Sequence, residues 1–218
     1  IKKDLNTFGH QKAMERVFAE KEAEAFLEHE GFPVTERYFV TTEKDALHAA
    51  HRLGFPVCLK VSSRHILHKS DVGGVKIDLR TDDEVLAAFR HIIKIPKCEE
   101  VMVQPYNTGQ LLLVGIQRDP TFGHTVAVGS GGIYTEILKD VSFRVCPLSH
   151  HDAKTMVEEL KVYPMLQGVR GEQAVNIEKL HQLLLRLSHL ALCYPSMREL
   201  DINPVILHGD NLHIADAR

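Results

Sequence analysis

The order of helical and strand patterns constrains the fold of this chain more than any other feature of its sequence. Helical segments alternate with short strands up to Pro96, four strands then follow one another, and two helices and three short strands complete the chain. We therefore predict an α/β (α+β) protein with an N-terminal helical segment (1–30), a smaller lobe (31–96) and a larger lobe (97–218). Two lobes joined by a short hinge leave a cleft between them, which is a favoured place for a ligand.

The individual elements are predicted from apolar spacing and from helix caps. Thr42 and Ser149 are predicted to cap the helices that follow them, and Gly54 is predicted to end the second helix. Val17 is a candidate buried residue of the first helix, and the last helix is predicted to carry an apolar face formed by Leu180, Leu183, Leu184, Leu187 and Leu190. The predicted helices cover 11–29, 42–54, 82–94, 150–160 and 177–193. The predicted strands cover 37–40, 57–61, 75–79, 100–104, 110–117, 124–128, 141–146, 198–202, 205–207 and 212–214.

Composition argues against several classes of protein. The 26 Lys and Arg against 29 Asp and Glu give a formal net charge of -3, which disfavours a strongly basic nucleic-acid-binding protein. No apolar run approaches the roughly 20 residues of a bilayer span, and the polar N-terminus predicts no secretory signal. The four cysteines form no CxxC pair, so we expect reduced thiols in a cytoplasmic protein rather than a zinc site.

The loop between the strands predicted at 57–61 and 75–79 holds the most informative residues. Gly73 and Gly74 allow backbone N–H groups to approach an anion, and Lys69 adds a positive charge, so the loop suits a polyphosphate. A flexible hairpin loop with a chance lysine explains the composition equally well. His68 is a candidate nucleophile for phosphorus, although a histidine in a surface loop is the more common case.

Two further segments are candidates for a nucleotide cleft. Lys60 lies in an otherwise apolar strand, where it either reaches solvent or faces a bound anion. The glycine-rich segment 129–132 precedes the charged residues Glu136 and Arg144, a pattern that fits one wall of a nucleotide site or an ordinary hairpin turn.

Oxygen-bearing side chains cluster near the C-terminal end of the sequence. Alternate residues of a strand share a face, so Glu199, Asp201 and Asn203 are predicted to point the same way. A neighbouring strand carrying Asp216 would complete a set of hard oxygen ligands of the kind that Mg²⁺ prefers. A solvated strand face followed by an Asn-Pro turn is the competing interpretation.

Six segments, taken in order and with their spacing, resemble one known family. They are FPVCLK at 55–60, LHKSDVGGV at 67–75, RDPTFG at 118–123, GGIYTEILKDVSFR at 131–144, GVRG at 168–171 and ELDINP at 199–204. Together they resemble the ATP-grasp β subunits of nucleoside-diphosphate-forming acyl-CoA synthetases over about 23–218, nearly the whole chain.

This resemblance implies an ATP-grasp fold, in which two lobes close on a nucleotide held in the cleft between them. It implies the reaction acyl-CoA + ADP + phosphate ⇌ carboxylic acid + CoA + ATP, with acetyl-CoA as the expected acyl-CoA. Phosphate passes from an acyl phosphate to a histidine of a CoA-binding α subunit, then to a histidine of the β subunit, and finally to ADP. Mg²⁺, ADP or ATP, phosphate and an α subunit, in an expected α2β2 assembly, are therefore the implied cofactor, substrates and partner.

The resemblance also assigns roles to individual residues. His68 matches the phosphorylated histidine of the β subunit, and Asp201 matches a carboxylate that holds its imidazole. Asn203 and Asp216 match the magnesium ligands. With the candidates above, the expected nucleotide- and phosphate-binding set is Lys60, Lys69, Gly73, Gly74, Gln104, Tyr106, Glu136 and Arg144.

The sequence departs from the family pattern at two positions near the expected adenine and ribose pocket. Pro105 has no N–H donor and stands where the family usually has an acidic or similar polar residue, and Leu111 replaces a glutamate. These departures leave the choice between ADP and GDP open. They also keep a second interpretation open, a nucleotide-binding ATP-grasp module of a fused acyltransferase or synthetase-like protein without phosphoryl turnover.

Overall fold

The computed structural model describes residues 17–66, 68–132, 139–169 and 173–218. Within these ranges the helices are α1 (Glu20–His29), α2 (Glu43–Leu53), α3 (Asp82–Ile92), α4 (His150–Glu158), α5 (Tyr163–Leu166) and α6 (Ile177–Cys193). The strands are β1 (Tyr38–Val40), β2 (Val57–Ser62), β3 (Val75–Leu79), β4 (Glu100–Pro105), β5 (Gln110–Asp119), β6 (Gly123–Ser130), β7 (Val141–Val145), β8 (Glu199–His208) and β9 (Asn211–Ile214). The mixed α+β class is confirmed. None of these helices combines the length and the apolarity that a membrane crossing requires.

The strands form two antiparallel sheets. The smaller sheet has the order β1-β4-β2-β3, and the larger has the order β7-β6-β5-β8-β9. β4 pairs with both β1 and β2, so it lies in the centre of the smaller sheet. The boundary predicted near residue 96 had put this strand in the larger lobe, whereas in the structure the chain enters the larger sheet only after Pro105.

The smaller sheet is covered on one face by α2 and α3. Both helices begin with a threonine cap, because Thr42 accepts a hydrogen bond from the Asp45 amide and Thr81 accepts one from the Glu84 amide. Gly54 ends α2 with a φ of 82°, as the sequence predicted. The core between helices and sheet is apolar, and its members include Ala46, Ala50, Val57, Leu59, Val61, Val85, Phe89, Val101 and Val103.

The larger sheet is covered by α1, α4 and α6, which share one core. The apolar stripe of α6 is confirmed, since its leucines Leu180, Leu183, Leu184, Leu187 and Leu190 are all buried. Each buried leucine side chain contributes on the order of 1.5–3 kcal/mol relative to an exposed one. Ala23 and Leu27 bring α1 into the same core, so the N-terminal helix packs on the larger lobe.

The described part of α1 begins later than predicted. The Glu22 side chain accepts a hydrogen bond from the Ala19 amide at 3.0 Å, and Ala19 itself has an extended backbone, so the helix begins at Glu20. Val17, predicted to be buried, is therefore outside the helix and 86% exposed. The remaining predicted helical residues, 11–16, lie outside the described ranges.

The C-terminal strand pattern also differs from the prediction. Strands expected at 198–202 and 205–207 are one continuous strand, β8, which runs through Asn203 and Pro204. The register against β5 shifts at this point, so that one residue of β5 faces two of β8. A proline without an N–H donor is tolerated at such an irregularity, and no turn is needed.

Candidate active site

One wall of the cleft is the helix-free face of the smaller sheet. Along β2, alternate residues enter the helix-covered core, which leaves Cys58 and Lys60 on the opposite face. The register pairs Cys58 with Gln104 and Lys60 with Met102, so these side chains share that face. The Lys60 ammonium is buried and donates a hydrogen bond to the Ala215 carbonyl at 2.7 Å. This face therefore lies against the C-terminal segment of the larger lobe.

The other wall is the helix-free face of β8. Asp201 and Asn203 project from it, as strand alternation predicted, while Ile202 between them is buried in the core. The C-terminal segment pairs with this strand, because Asp201 exchanges two backbone hydrogen bonds of 2.8 Å with Arg218 and the Asn203 amide donates to the Asp216 carbonyl at 3.2 Å. Opposite residues of an antiparallel pair share a face, so Asp216 stands beside Asn203.

The loop that carries His68 is attached to this second wall. His68 has an exposed side chain, whereas its neighbour Lys69 is 7% exposed. The Lys69 ammonium lies 2.5 Å from Glu20 Oε1 and 2.5 Å from Asp216 Oδ2. The structure thus brings the loop, helix α1 and the C-terminal segment together at one buried ion-pair cluster. We name Glu20, Lys69 and Asp216 the anchor cluster.

Within the anchor cluster, Lys69 and Asp216 stabilise each other's charges. Burial raises the pKa of the Asp216 carboxyl, but the ammonium groups of Lys69 and Lys60 outweigh it and hold that pKa below its usual value. Burial lowers the pKa of Lys69, and the carboxylates of Asp216 and Glu20 outweigh it and raise that pKa. Both effects keep the ion pair between Lys69 and Asp216 charged at neutral pH.

Helix α1 contributes two acidic residues that the sequence analysis did not single out. Glu20 has a raised pKa because it is buried and lies near Asp216. Glu24, one helical turn further on, is 1% exposed and lies 2.6 Å from Arg37 Nε. Burial, followed by the charge of Glu20, raises the pKa of Glu24 to about 8 despite Arg37. The sequence does contain a signal that could have identified Glu20 and Glu24. They are four residues apart, which places both on the helix face that also carries the buried Ala23.

Two residues beside the loop define its surroundings. Arg218 donates from Nη2 to the Ile66 carbonyl at 3.2 Å, two residues before His68 in the same loop, and was also not singled out from the sequence. Asp201, which pairs with Arg218, has a raised pKa because of burial and the nearby charges of Asp216 and Glu199, and Arg218 opposes that rise. The side chain of Asp201 is exposed and lies on the same wall as Asp216.

The two glycines of the loop serve its own conformation in this structure. Gly73 has a φ of 68° and donates its amide hydrogen to the Ser70 carbonyl at 3.0 Å, and the Gly74 amide donates to the Lys69 carbonyl at 2.8 Å. A side chain at Gly74 would collide with Val61. The amides that were expected to face a phosphate are used here to close the loop.

Along the same cleft lie Gln104 and Tyr106 of the expected nucleotide-binding set, together with Leu111, one of the two departures from the family pattern. Gln104 is 4% exposed, and its side-chain oxygen accepts no hydrogen bond from the part of the chain that the structure describes. Leaving such a buried acceptor without a partner costs about 1–3 kcal/mol, so this position fits a hydrogen-bond donor of a ligand. Tyr106 is half-buried, and its amide donates to the Pro56 carbonyl at 3.0 Å. Leu111, 38% exposed, has a carbonyl that accepts from the Gly131 amide at 2.9 Å, next to the glycine-rich segment.

Arg144 is separated from the other predicted site residues. It pairs in register with Val126, whose side chain is buried in the helix-covered core, so Arg144 lies on the helix-covered face of the larger sheet. Its guanidinium lies 2.5 Å from Glu159, at the end of α4. The expectation that Arg144 lines the nucleotide cleft does not fit this placement, because sequence spacing could not tell which sheet face it would occupy. Glu136 lies outside the described residues.

Asn203 and Asp216, beside the anchor cluster, fit a magnesium ion. The Asn203 side-chain oxygen accepts from the Gly132 amide at 3.0 Å, and the Asp216 carboxylate already holds a cation, the Lys69 ammonium. No group of three or more His, Cys, Asp or Glu side chains suited to a metal occurs within the described ranges. Two hard oxygen ligands, completed by phosphate and water, are what Mg²⁺ takes beside a nucleotide.

Comparison with known proteins agrees with this architecture. A family model described as an ATP-grasp domain matches residues 10–218. The β subunit of ADP-forming acetate–CoA ligase I from Pyrococcus furiosus is 41% identical over 95% of this chain and 93% of its own length. This chain belongs to the ATP-grasp family, among the β subunits of ADP-forming acyl-CoA ligases. The family resemblance drawn from the six motifs is confirmed.

Solved structures of related ATP-grasp proteins match the fold. The dinucleotide-forming acetyl-CoA synthetase 1 of Ca. Korarchaeum cryptofilum, in complex with coenzyme A, Ca-AMPCP and HgCl+, superposes with a TM-score of 0.86 at 40% identity, covering 92% of this chain and 91% of that one. Another structure of that enzyme holds coenzyme A and Mg-AMPPCP, with a phosphohistidine segment pointing towards the nucleotide binding site. It matches with a TM-score of 0.78 at 41% identity, over 91% of this chain and 90% of that one. The predicted ATP-grasp fold is therefore confirmed.

Some relatives of this ATP-grasp chain are much longer. ADP-forming acetate–CoA ligase I of Archaeoglobus fulgidus is 38% identical and aligns with the whole chain, which spans only 34% of that relative. The same ATP-grasp region therefore occurs both as a separate β subunit and as about a third of a larger polypeptide.

Proposed function

We propose that this chain provides the nucleotide-binding and phosphoryl-transferring part of an ADP-forming acyl-CoA synthetase. The reaction is acyl-CoA + ADP + phosphate ⇌ carboxylic acid + CoA + ATP, with acetyl-CoA as the acyl-CoA. One observation carries the proposal: the exposed His68 lies on a loop that Lys69 attaches to Asp216, on the cleft wall that also bears Asn203. A nucleophile beside oxygen ligands for a cation, with Lys60 on the facing wall, is what phosphoryl transfer requires.

His68 receives and passes on one phosphoryl group. A P–N bond forms at its imidazole while the P–N bond of a phosphorylated histidine on the α partner breaks. In the second step a terminal phosphate oxygen of ADP forms a P–O bond as the P–N bond of His68 breaks, which yields ATP. Asp201 accepts a hydrogen bond from the imidazole and keeps it oriented, and Lys60 offsets the negative charge of the phosphates.

Asn203 and Asp216 are the residues that would hold Mg²⁺. When bound, the ion neutralises phosphate charge and orients the phosphate groups. The buried and unpaired oxygen of Gln104 supports a ligand with an N–H donor in the cleft, such as the amino group of a nucleotide base. Adenine and guanine both carry an exocyclic amino group, so Gln104 does not distinguish them, and the calorimetry described below tests which base is preferred.

The acyl phosphate arises on a CoA-binding α partner. The relatives named β subunits support a separate α subunit, and the longer relatives support an α part in the same polypeptide. For a separate subunit we propose the α2β2 assembly that the family resemblance implies. A cytoplasmic location is also part of the proposal, and its support is that all four cysteines are free thiols.

The deciding experiment is phosphorylation at His68. The chain is mixed with its α partner, acetyl-CoA, Mg²⁺ and radioactive phosphate, and we expect an acid-labile label on the wild type that disappears on addition of ADP. The variant His68→Ala should carry no label and form no ATP. His65→Ala is the matched control, because His65 is also exposed and lies three residues earlier in the same segment, and it should be labelled normally.

Two results would contradict the proposal. One is an unlabelled wild-type chain in the complete mixture, and the other is full turnover by His68→Ala. Calorimetry with ADP, GDP and ATP completes the test. Binding of nucleotide without any label would favour the alternative, a nucleotide-binding module without phosphoryl turnover.

A further inference from the structure

The side chain of Lys69 is more strongly held than a loop lysine normally is. Its ammonium is buried between two carboxylates, and each of these belongs to a different part of the larger lobe. Glu20 extends from α1, which packs in the core of that lobe, and Asp216 extends from the segment paired with β8. The residue next to the proposed phosphohistidine therefore fixes the loop to the cleft wall.

This attachment uses the same carboxylate that is proposed for the metal. Asp216 Oδ2 lies 2.5 Å from the Lys69 ammonium, and Asp216 is one of the two residues that would hold Mg²⁺. A divalent cation on Asp216 would stand next to a buried ammonium, and two like charges in a poorly solvated site repel each other strongly. The ammonium of Lys60, which donates to the neighbouring Ala215 carbonyl, adds to this positive charge.

We propose that Lys69 and magnesium-bound nucleotide compete for Asp216, so that loading of the cleft releases the His68 loop from its anchored position. This inference rests on the magnesium site of the proposed function. Once Asp216 turns to the metal, Lys69 keeps only one of its two carboxylate partners, Glu20, and the anchor weakens. The loop is thereby free to move when a phosphoryl acceptor is present, and it is held when the cleft is empty.

Linkage fixes how the competition must be measured. The factor by which the Lys69 anchor weakens binding of magnesium–nucleotide equals the factor by which magnesium–nucleotide weakens the anchor. Both sides of the competition are therefore observable, one as nucleotide affinity and the other as protection of the loop from amide hydrogen exchange. Neither measurement depends on catalytic turnover.

The affinity arm compares Lys69→Met with the wild type. Methionine keeps the length of the side chain and removes its charge, so we expect Mg²⁺–ADP to bind about tenfold more tightly in calorimetry. Lys44→Met is the matched control, since Lys44 is an exposed lysine of α2, and its affinity for Mg²⁺–ADP should equal that of the wild type. Equal affinities for Lys69→Met and the wild type would overturn the competition.

The exchange arm uses the wild type alone, so it remains decisive if Lys69→Met does not fold. Addition of Mg²⁺–ADP should speed hydrogen exchange of the amides in 63–66 and 68–74 by about tenfold, whereas ADP with a chelator of Mg²⁺ should not. Unchanged or slower exchange with Mg²⁺–ADP would overturn the inference.

The two proposals fail in different ways. If Mg²⁺–ADP binds and His68 is labelled while the loop stays protected, the competition is wrong and the phosphoryl transfer stands. If Mg²⁺–ADP releases the loop but His68 is never labelled, the phosphoryl transfer is wrong and the competition stands. If Mg²⁺–ADP does not bind at all, both are wrong.

Discussion

The buried carboxyl of Glu24 should make the stability of this protein depend on pH in a defined direction. Its pKa is raised from 4.5 to about 8 by burial and by the charge of Glu20. Between these two values the folded chain binds more protons at this site than the unfolded chain does. The stabilisation is therefore complete below pH 4.5 and is lost as the pH rises towards 8. Replacing Glu24 by glutamine removes the titrating proton and keeps the size of the side chain.

The size of the effect follows from the difference between the two pKa values. Each pH unit within that interval changes the free energy of unfolding by about 1.4 kcal/mol for one group. From pH 5.5 to pH 7.5, the wild type should lose about 3 kcal/mol relative to Glu24→Gln. Urea unfolding of both proteins at these two pH values measures this difference directly, and contributions from groups that both proteins retain largely cancel.

The matched control is Glu28→Gln. Glu28 lies on the same helix and also approaches Arg37, at 3.4 Å from Nη2, but its side chain is 63% exposed. Its substitution should change the free energy of unfolding by a similar small amount at both pH values. A difference between Glu24→Gln and the wild type that stays constant from pH 5.5 to 7.5 would refute the reasoning, since it would mean that Glu24 is ionised in the folded protein throughout.

Two further substitutions test the assignment of structural roles. Arg144→Ala should lower the free energy of unfolding only slightly, because its pair with Glu159 is solvent-exposed, and it should leave the rate of His68 phosphorylation unchanged. A large loss of that rate would place Arg144 in the active site. Leu187→Ala, at a fully buried position of α6, should cost about 3 kcal/mol in urea unfolding, whereas Leu192→Ala on the exposed side of the same helix should cost less than about 0.5 kcal/mol. Equal costs at the two leucines would contradict the assigned core.

Elements whose boundaries depend on local chemistry could be predicted from the sequence. The caps at Thr42, Gly54 and Ser149 begin or end helices where expected, and α6 occupies its predicted range. Elements that depend on long-range strand pairing were harder to predict from the sequence. The central place of β4 in the smaller sheet depends on two partner strands, and the single strand through Pro204 depends on a register shift that only the pairing with β5 reveals.

The site residues show the same difference between what local sequence patterns predict and what depends on long-range contacts. The shared face of Asp201 and Asn203 follows from strand alternation and was predicted, and their approach to Asp216 was expected from the family resemblance. Glu20 was missed because its role depends on burial next to a loop far along the chain. Arg144 was assigned to the cleft because a charged residue after a glycine-rich segment suggests the wall of a ligand site. Its register with β6, however, places it on the helix-covered face of the sheet.

Helix α1 has a mechanical consequence for the two lobes. The helix packs in the core of the larger lobe, but its residue Lys21 contacts the smaller sheet. The Lys21 ammonium lies 2.8 Å from the Glu100 carboxylate and 4.5 Å from the centre of the Phe39 ring. These contacts must break before the two lobes can separate, so α1 restrains opening of the cleft. Lys21 is half exposed, and a surface pair of this kind is worth no more than about 1 kcal/mol. This restraint is weak enough for thermal motion to overcome it, which lets nucleotide enter and leave between the lobes.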